Sequence, residues 1–261
     1  MSATIPVGQL IREWRQRRRL SQLDFATEAE ISAKHLSFIE TGRAQPSRDM
    51  VLKLAELLDV PLRERNKLLV AAGFAPIFEE RSLDDPALQA ARAAVDLVLK
   101  GHEPYPALAV DRHWTLLAAN RAVPLFLTGL PESLLTPPVN VLRLTLHPDG
   151  LAPRIVNLAQ WRAHLLARLR RQIDVSADPA LATLYEELAQ YPAPAATARE
   201  VHSTNDVVVP FQVVMNGAVL SFISTTTVFG TPIDITLAEL ALETFFPADE
   251  QTVRALREMV R

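Results

Sequence analysis

This chain of 261 residues contains no cysteine. Without thiols it has no disulfide framework, no thiolate metal site and no cysteine nucleophile, and it fits a reducing compartment. Glycine is scarce, at eight residues, and none of them builds a GxGxxG, Walker or GxSxG pattern, so phosphate-cradling loops and a nucleophile elbow are missing. His35, His102, His113, His147, His164 and His202 are scattered, with no i, i+4 pair and no HExxH. No metal site, no required cofactor and no enzymatic activity are expected. No apolar run reaches the roughly 18–20 residues that cross a bilayer, and the first residues lack a secretory pattern. A cytoplasmic protein is expected.

The length suits two ordinary domains, and 49% of residues are apolar, enough for a core in each. The net charge of −3 divides unevenly: residues 1–75 hold 12 Lys+Arg against 9 Asp+Glu, and the remainder holds 15 against 21. The basic excess therefore lies in the first part, where phosphate contact would need it.

Residues 21–42, SQLDFATEAEISAKHLSFIETG, read as two short helices joined by a tight corner. Ser21 is a natural N-cap. Leu23, Phe25, Ala26 and Ala29 can pack inward. Glu30-Ile31-Ser32 forms the corner, with Ile31 buried and Ser32 capping the second helix. Leu36 and Ile39 anchor that helix, Ala33, Lys34 and Ser37 face outward, and Gly42 stops it. Such a helix can enter a DNA major groove by its N-terminal turn. Lys34 suits a guanine edge, Ala33 a thymine methyl, and Ser32 and Ser37 a base or a phosphate. Arg43 and Arg48 are placed to hold the backbone. His35 could face DNA or solvent, and Glu40 ties its helix to neighbouring groups.

Around this motif, helix one is expected from Val7 to Arg19, with Leu10, Ile11 and Trp14 inward and Arg12, Arg15, Arg17, Arg18 and Arg19 outward. Ser47 opens a fourth helix, and Pro61 and Gly73 bound a fifth. The spacing resembles the lambda repressor/Cro-like regulators of the XRE family over roughly residues 6–75. The resemblance implies a five-helix DNA-binding bundle, with Gln22 at the phosphate-clamping position. Glu30 departs from it, standing where the family usually has glycine, and a slightly altered turn is expected at about 1 kcal/mol.

Residues 76–103 read as a linker and connecting helix, opened by Asp85-Pro86, with Leu88, Ala91, Val95, Val98 and Leu99 in a stripe. This helix could pack on the second domain or carry a signal or dimer contact. From residue 104 to 261 the pattern mixes strands and helices. YPALAVDRHWTLLAAN is a hairpin with Asn120 capping the next helix. A helical middle comes next, then VVVPFQVVM and AVLSFISTTTVF joined by Asn216-Gly217, a strong hairpin signal. ITLAELALETFFP alternates like a third strand, and a helix closes the chain. The order is that of a PAS-like α+β domain with an antiparallel sheet.

These segments, with HPDGLAPRIVNLAQWRAHLLARLRRQ and FGTPIDITLAELALETFFPAD, resemble the MmyB-like ligand-binding domain. That resemblance implies a transcription regulator holding a small lipophilic molecule, a fatty acid or acyl compound. On the helix expected from Arg154 to Ile173, Arg162 falls within the apolar arc of Ile155, Leu158, Ala159, Leu165, Leu166 and Leu169. It must snorkel, pair or hold an anion such as a carboxylate. Arg143 in VNVLRLTL poses the same choice. Trp161 could wall a pocket or sit in the core; Asn120, Asn157 and His147 are read as caps or turn residues with a possible place at the site. A protein partner, or haem held by His113, His147 or His164, stays open as the alternative input. A homodimer on two half-sites is expected.

Overall fold

The computed structural model describes residues 5–192 and 208–259, so His202 and the first residue of the expected strand VVVPFQVVM, Val207, lie outside the described residues. The chain divides into two units, residues 1–81 with 231–238, and residues 82–230 with 239–261.

The first unit carries α1 (Val7–Arg17), α2 (Gln22–Glu28), α3 (Ala33–Glu40), α4 (Arg48–Leu57) and α5 (Leu62–Ala71). Three of these helices start on a serine whose Oγ accepts a backbone N–H three residues on: Ser21 from Asp24, Ser32 from His35 and Ser47 from Met50. Ile11, Phe25, Leu36, Ile39, Val51, Leu54 and Leu69 are fully buried and make the core. Gly8 lets α1 lie directly on α3, since a Cβ there would sit 2.0 Å from the Ile39 carbonyl oxygen.

Several expectations need correction. Leu23 is 66% exposed; at about 100° per residue Phe25, Ala26 and Ala29 share one arc and Leu23 falls beside it. Ile31 is only partly buried. Helix one stops at Arg17 rather than Arg19, which takes φ +57°. Arg15 is buried, not outward. Glu30 adopts the left-handed corner at φ +56°, so the turn the family makes with glycine is kept here.

In the second unit a 3-10 turn (Pro86–Leu88), with its first N–H groups met by Asp85, leads into α6 (Gln89–Gly101). Next come β1 (Ala107–Val110), β2 (Leu116–Ala119), α7 (Val123–Leu127), α8 (Glu132–Leu135), α9 (Val141–Leu146), α10 (Leu158–Ser176), α11 (Pro179–Gln190), β3 (Phe211–Met215), β4 (Ala218–Val228), β5 (Ala241–Pro247) and α13 (Glu250–Met259); α12 (Ile235–Glu239) falls between β4 and β5 in sequence, but residues 235–238 belong to the first unit. The strands form one antiparallel sheet in the order β2-β1-β5-β4-β3. Asn216 and Gly217 turn β3 into β4, both at positive φ, as a tight primed hairpin requires.

Because strand side chains alternate, β1 serves two cores. Leu108 and Val110 join Trp161, Leu165, Phe211 and Phe222 on the face covered by helices, whereas Ala107 and Ala109 meet Val95 and Leu99 of α6 behind the sheet. Val98, expected in the α6 stripe, is 40% exposed. The expected third strand over 235–247 is a strand only from Ala241. Residues 235–239 form α12, started by Asp234, whose carboxylate accepts from Thr236 N at 2.8 Å.

Residues 231–238 cluster with the first unit. Asp234, 2% exposed, pairs with Arg81 at 3.0 Å, and Ile235 N donates to the Glu79 carbonyl at 2.9 Å.

Candidate functional site

In the first unit the candidate surface is the outer side of α3. Its inner side is fixed by Leu36 and Ile39, and its end by Glu40. The Glu40 carboxylate accepts from Arg15 Nε at 2.6 Å, Arg15 Nη2 at 3.0 Å and Gln22 Nε2 at 2.7 Å, while Arg15 Nη1 reaches the Leu20 carbonyl at 2.7 Å. One carboxylate thus ties α3 to α1 and α2. Charges withdrawn from water are held this way only when each is hydrogen-bonded. The amide of Gln22 is engaged in this network, with one N–H left over. Arg18 is also drawn inward, donating to the carbonyls of Leu58 and Asp59 at the end of α4 at 2.7 and 2.8 Å.

On the outer side, Ser32 and Lys34 are exposed and Ala33 and Ser37 half-buried; Arg43 and Arg48 are exposed just beyond. Among the described residues no carboxylate pairs with Lys34, Arg43 or Arg48. Lys34 Nζ and the Arg43 guanidinium lie 5.6 and 5.9 Å from the Phe38 ring centre. Phe38, which sequence reasoning passed over, holds both cations along one helix edge. Its i+4 spacing from Lys34 was the available signal.

In the second unit the candidate site is a cavity of about 640 Å³, its mouth included, between the sheet and α7, α9 and α10. Its walls are apolar: Leu108, Leu116, Phe126, Leu144 and Leu151 among others, with Trp161, Phe211, Phe222 and Phe245. The aromatic rings touch in a chain, Trp161 to Phe211 at 5.1 Å, Phe211 to Phe222 at 6.2 Å and Phe222 to Phe126 at 5.8 Å between centres. A smaller cavity adjoins it, where Arg168, Glu243, Ser224 and Trp114 add polar atoms.

Of the six residues expected at a ligand site, Trp161 alone lines the larger cavity. Arg143 is turned outward and paired with Glu187 at 2.7 Å. That bond, above all, holds the Glu187 carboxyl below its usual range against the opposing effect of burial. Arg162 caps α11 instead, donating from Nη2 to the Ala189 carbonyl at 2.5 Å. It sits on the flank of α10 that meets α11, so its place in the apolar arc reflects helix–helix packing.

Asn120 bonds to the backbone of Ala107, Leu99 and Tyr105 and so fastens the start of β1. Its Oδ1 also accepts from Ala122 N at 3.3 Å and so turns the chain into α7, although the N-cap position itself is Ala122. Asn157 joins Pro210 and Gln212 to the start of α10, which begins at Leu158 rather than Arg154. His147 accepts from Asp149 N and packs edge-on against Tyr191.

The histidines weighed as haem ligands are engaged elsewhere. His113 bonds to Asp178 at 2.9 Å. Burial would raise the Asp178 carboxyl, but the His113 and Ala180 hydrogen bonds and the Arg112 charge outweigh it and hold it low. His164 stacks on Trp161 at 5.2 Å, and burial, helped by Arg168 and Arg171, lowers its pKa.

Arg168 was missed. It donates to Glu243 at 2.5 and 2.8 Å and to Thr226 at 2.7 Å, and lies 4.5 Å over the Trp114 ring. Trp161, Leu165 and Arg168 recur at i, i+4 and i+7, which puts all three on one side of α10. That recurrence was legible.

Two family models match. The helix-turn-helix model covers residues 11–65, and the model of the MmyB-like transcription regulator ligand binding domain covers residues 91–259. No curated protein matches the chain. Among the described residues no helix is long and apolar enough to cross a membrane. With the bundle built around α2 and α3, the sheet-backed cavity and both matches in place, the chain belongs to the MmyB-like transcription regulators, DNA-binding helix-turn-helix proteins that carry a ligand-binding domain.

Proposed function

We propose that this regulator reads a specific operator as a homodimer in the cytoplasm and that a lipophilic molecule, a fatty acid or related acyl compound, controls it. The observation that carries the ligand reading is the cavity whose walls are aliphatic and aromatic except for Thr145. Such walls favour an apolar chain at roughly 25 cal/mol per Å² removed from water.

In the DNA unit, Lys34 reads a base edge, with Ala33, Ser32 and Ser37 beside it. Arg43, Arg48 and the remaining Gln22 N–H hold phosphates. A single short recognition helix buries too little surface for operator affinity, so two copies on adjacent half-sites supply it. Native mass spectrometry of the purified protein, before and after denaturation, tests the ligand reading. An acyl compound released on unfolding is expected. A haem mass, or a protein that neither carries nor takes up any lipid, would replace it with one of the other inputs. Selection of operators from randomised duplexes tests the reader, and failure to enrich any consensus with well-folded protein would refute it.

A further inference from the structure

The larger cavity and the smaller one beside it share a wall of Leu108, Val141, Thr145, Trp161 and Phe245. Only two of these side chains carry polar atoms. The Thr145 hydroxyl donates to the Val141 carbonyl at 2.7 Å and has no further hydrogen to give. Trp161 is 3% exposed, and its Nε1 hydrogen has no acceptor among the described residues. An N–H buried without a partner forfeits about 1–3 kcal/mol of hydration, so such groups in folded proteins are nearly always met by something. The indole is wedged between His164 and Phe211 and is not free to carry its N–H elsewhere.

The charges nearby restrict what that something is. The cation at this end is Arg168, and both of its terminal nitrogens already serve Glu243. Their charges cancel locally. A carboxylate placed here would meet the Glu243 carboxylate with no cation but Arg168 in the lining of either cavity, and a bare buried anion is very costly. Arg162 also has an unmet nitrogen, Nε, but lines neither cavity. Ser224 lines the smaller cavity and offers a neutral hydroxyl.

We propose that the occupant is an acyl or alkyl chain ending in an uncharged oxygen, as in an ester, amide or alcohol, and that this oxygen accepts the hydrogen of Trp161 Nε1. The proposal rests on the lipophilic-ligand reading and specifies its head group.

The test is competition against a fluorescent alkyl probe on the full chain, with dodecane, dodecanol, methyl dodecanoate and dodecanoic acid at neutral pH. The alcohol and ester are expected to bind about 2- to 12-fold more tightly than dodecane, the span of one net hydrogen bond. The acid is expected to bind more weakly than the ester and to improve as its carboxyl is protonated. Trp161→Phe is expected to erase the advantage of the alcohol and ester over dodecane, read as the ratio of their affinities within the variant. If that variant also loses dodecane, the ¹⁵N-labelled indole of Trp161 in the unsubstituted protein decides. A shift of its N–H resonance with the ester but not with dodecane supports the contact, and equal shifts refute it. An acid that binds most tightly, or a variant that keeps the ester preference, overturns the proposal. If none of the four displaces the probe, the ligand reading itself fails.

Discussion

Glu40 shows how much of the DNA unit rests on one side chain. Its carboxylate gathers two arginine N–H groups and the Gln22 amide in a site where its own side chain is fully buried. Glu40→Ala leaves Arg15 without its carboxylate, and removing one member of a buried pair costs about 3–5 kcal/mol. Urea denaturation is expected to show that loss, with operator binding falling as α3 loosens; full stability in the variant would show that Arg15 finds water instead. The tie made by Glu40 was legible from its place at the end of a recognition helix. Its partner was not, because the arginines of the first helix read as outward-facing and only the fold turns Arg15 inward. Lys34→Ala should weaken operator binding by about 1–3 kcal/mol and random-sequence binding by much less, whereas Arg43→Ala should weaken both and lower the salt slope by about one unit. Gel shifts across a salt series separate the two roles, and equal losses on both duplexes for Lys34→Ala would remove it as a reader.

At the scale of elements, α1 and α3 meet through Gly8. An added methyl there would press on the Ile39 carbonyl at 2.0 Å. Gly8→Ala is expected to lower stability by about 1–3 kcal/mol, as overpacking does. A melting temperature equal to the parent's would show that the helices separate without cost. Nothing in the sequence flags Gly8, since a glycine near a helix start reads as a weak position and its contact is long-range.

The α9–α11 junction carries a pH signature. Glu187 is held below its usual range chiefly by Arg143. A carboxyl whose pKa is lower folded than unfolded adds stability above its unfolded value, and loses it as pH falls through the folded one. The stability gap between the parent and Arg143→Gln should therefore be open at neutral pH and close on acidification below the ordinary carboxylate range. A gap that stays constant with pH would assign it to packing alone.

The strands and the Asn216-Gly217 turn were legible because period-2 alternation and turn chemistry are local. Helix α12 was not, since ITLAE continues the alternation and only the cap at Asp234, docked on Arg81, makes it helical.

For the whole molecule, the charge division was visible in composition: the basic share accompanies the recognition helix and the acidic share accompanies the cavity. The cavity itself was not. Trp161 was picked out, but the facing rings come from β3, β4 and β5, far apart in the chain, and only strand order brings them together. Arg143 and Arg162 looked like anion ligands because an arginine in an apolar stripe is conspicuous, yet an acidic side chain and the carbonyl end of a helix take them up.

If occupancy of the cavity controls DNA binding, the two affinities are linked, and each ligand must shift the other's by the same factor. Fluorescence anisotropy of a selected operator duplex, titrated with the full chain with and without saturating methyl dodecanoate, reads this directly. The expected outcome is an operator Kd that moves by about 5- to 150-fold, mirrored by an equal change in ester affinity when operator is present. Operator affinity identical in both titrations, with the ester demonstrably bound, would show that the cavity does not govern the DNA-reading surface.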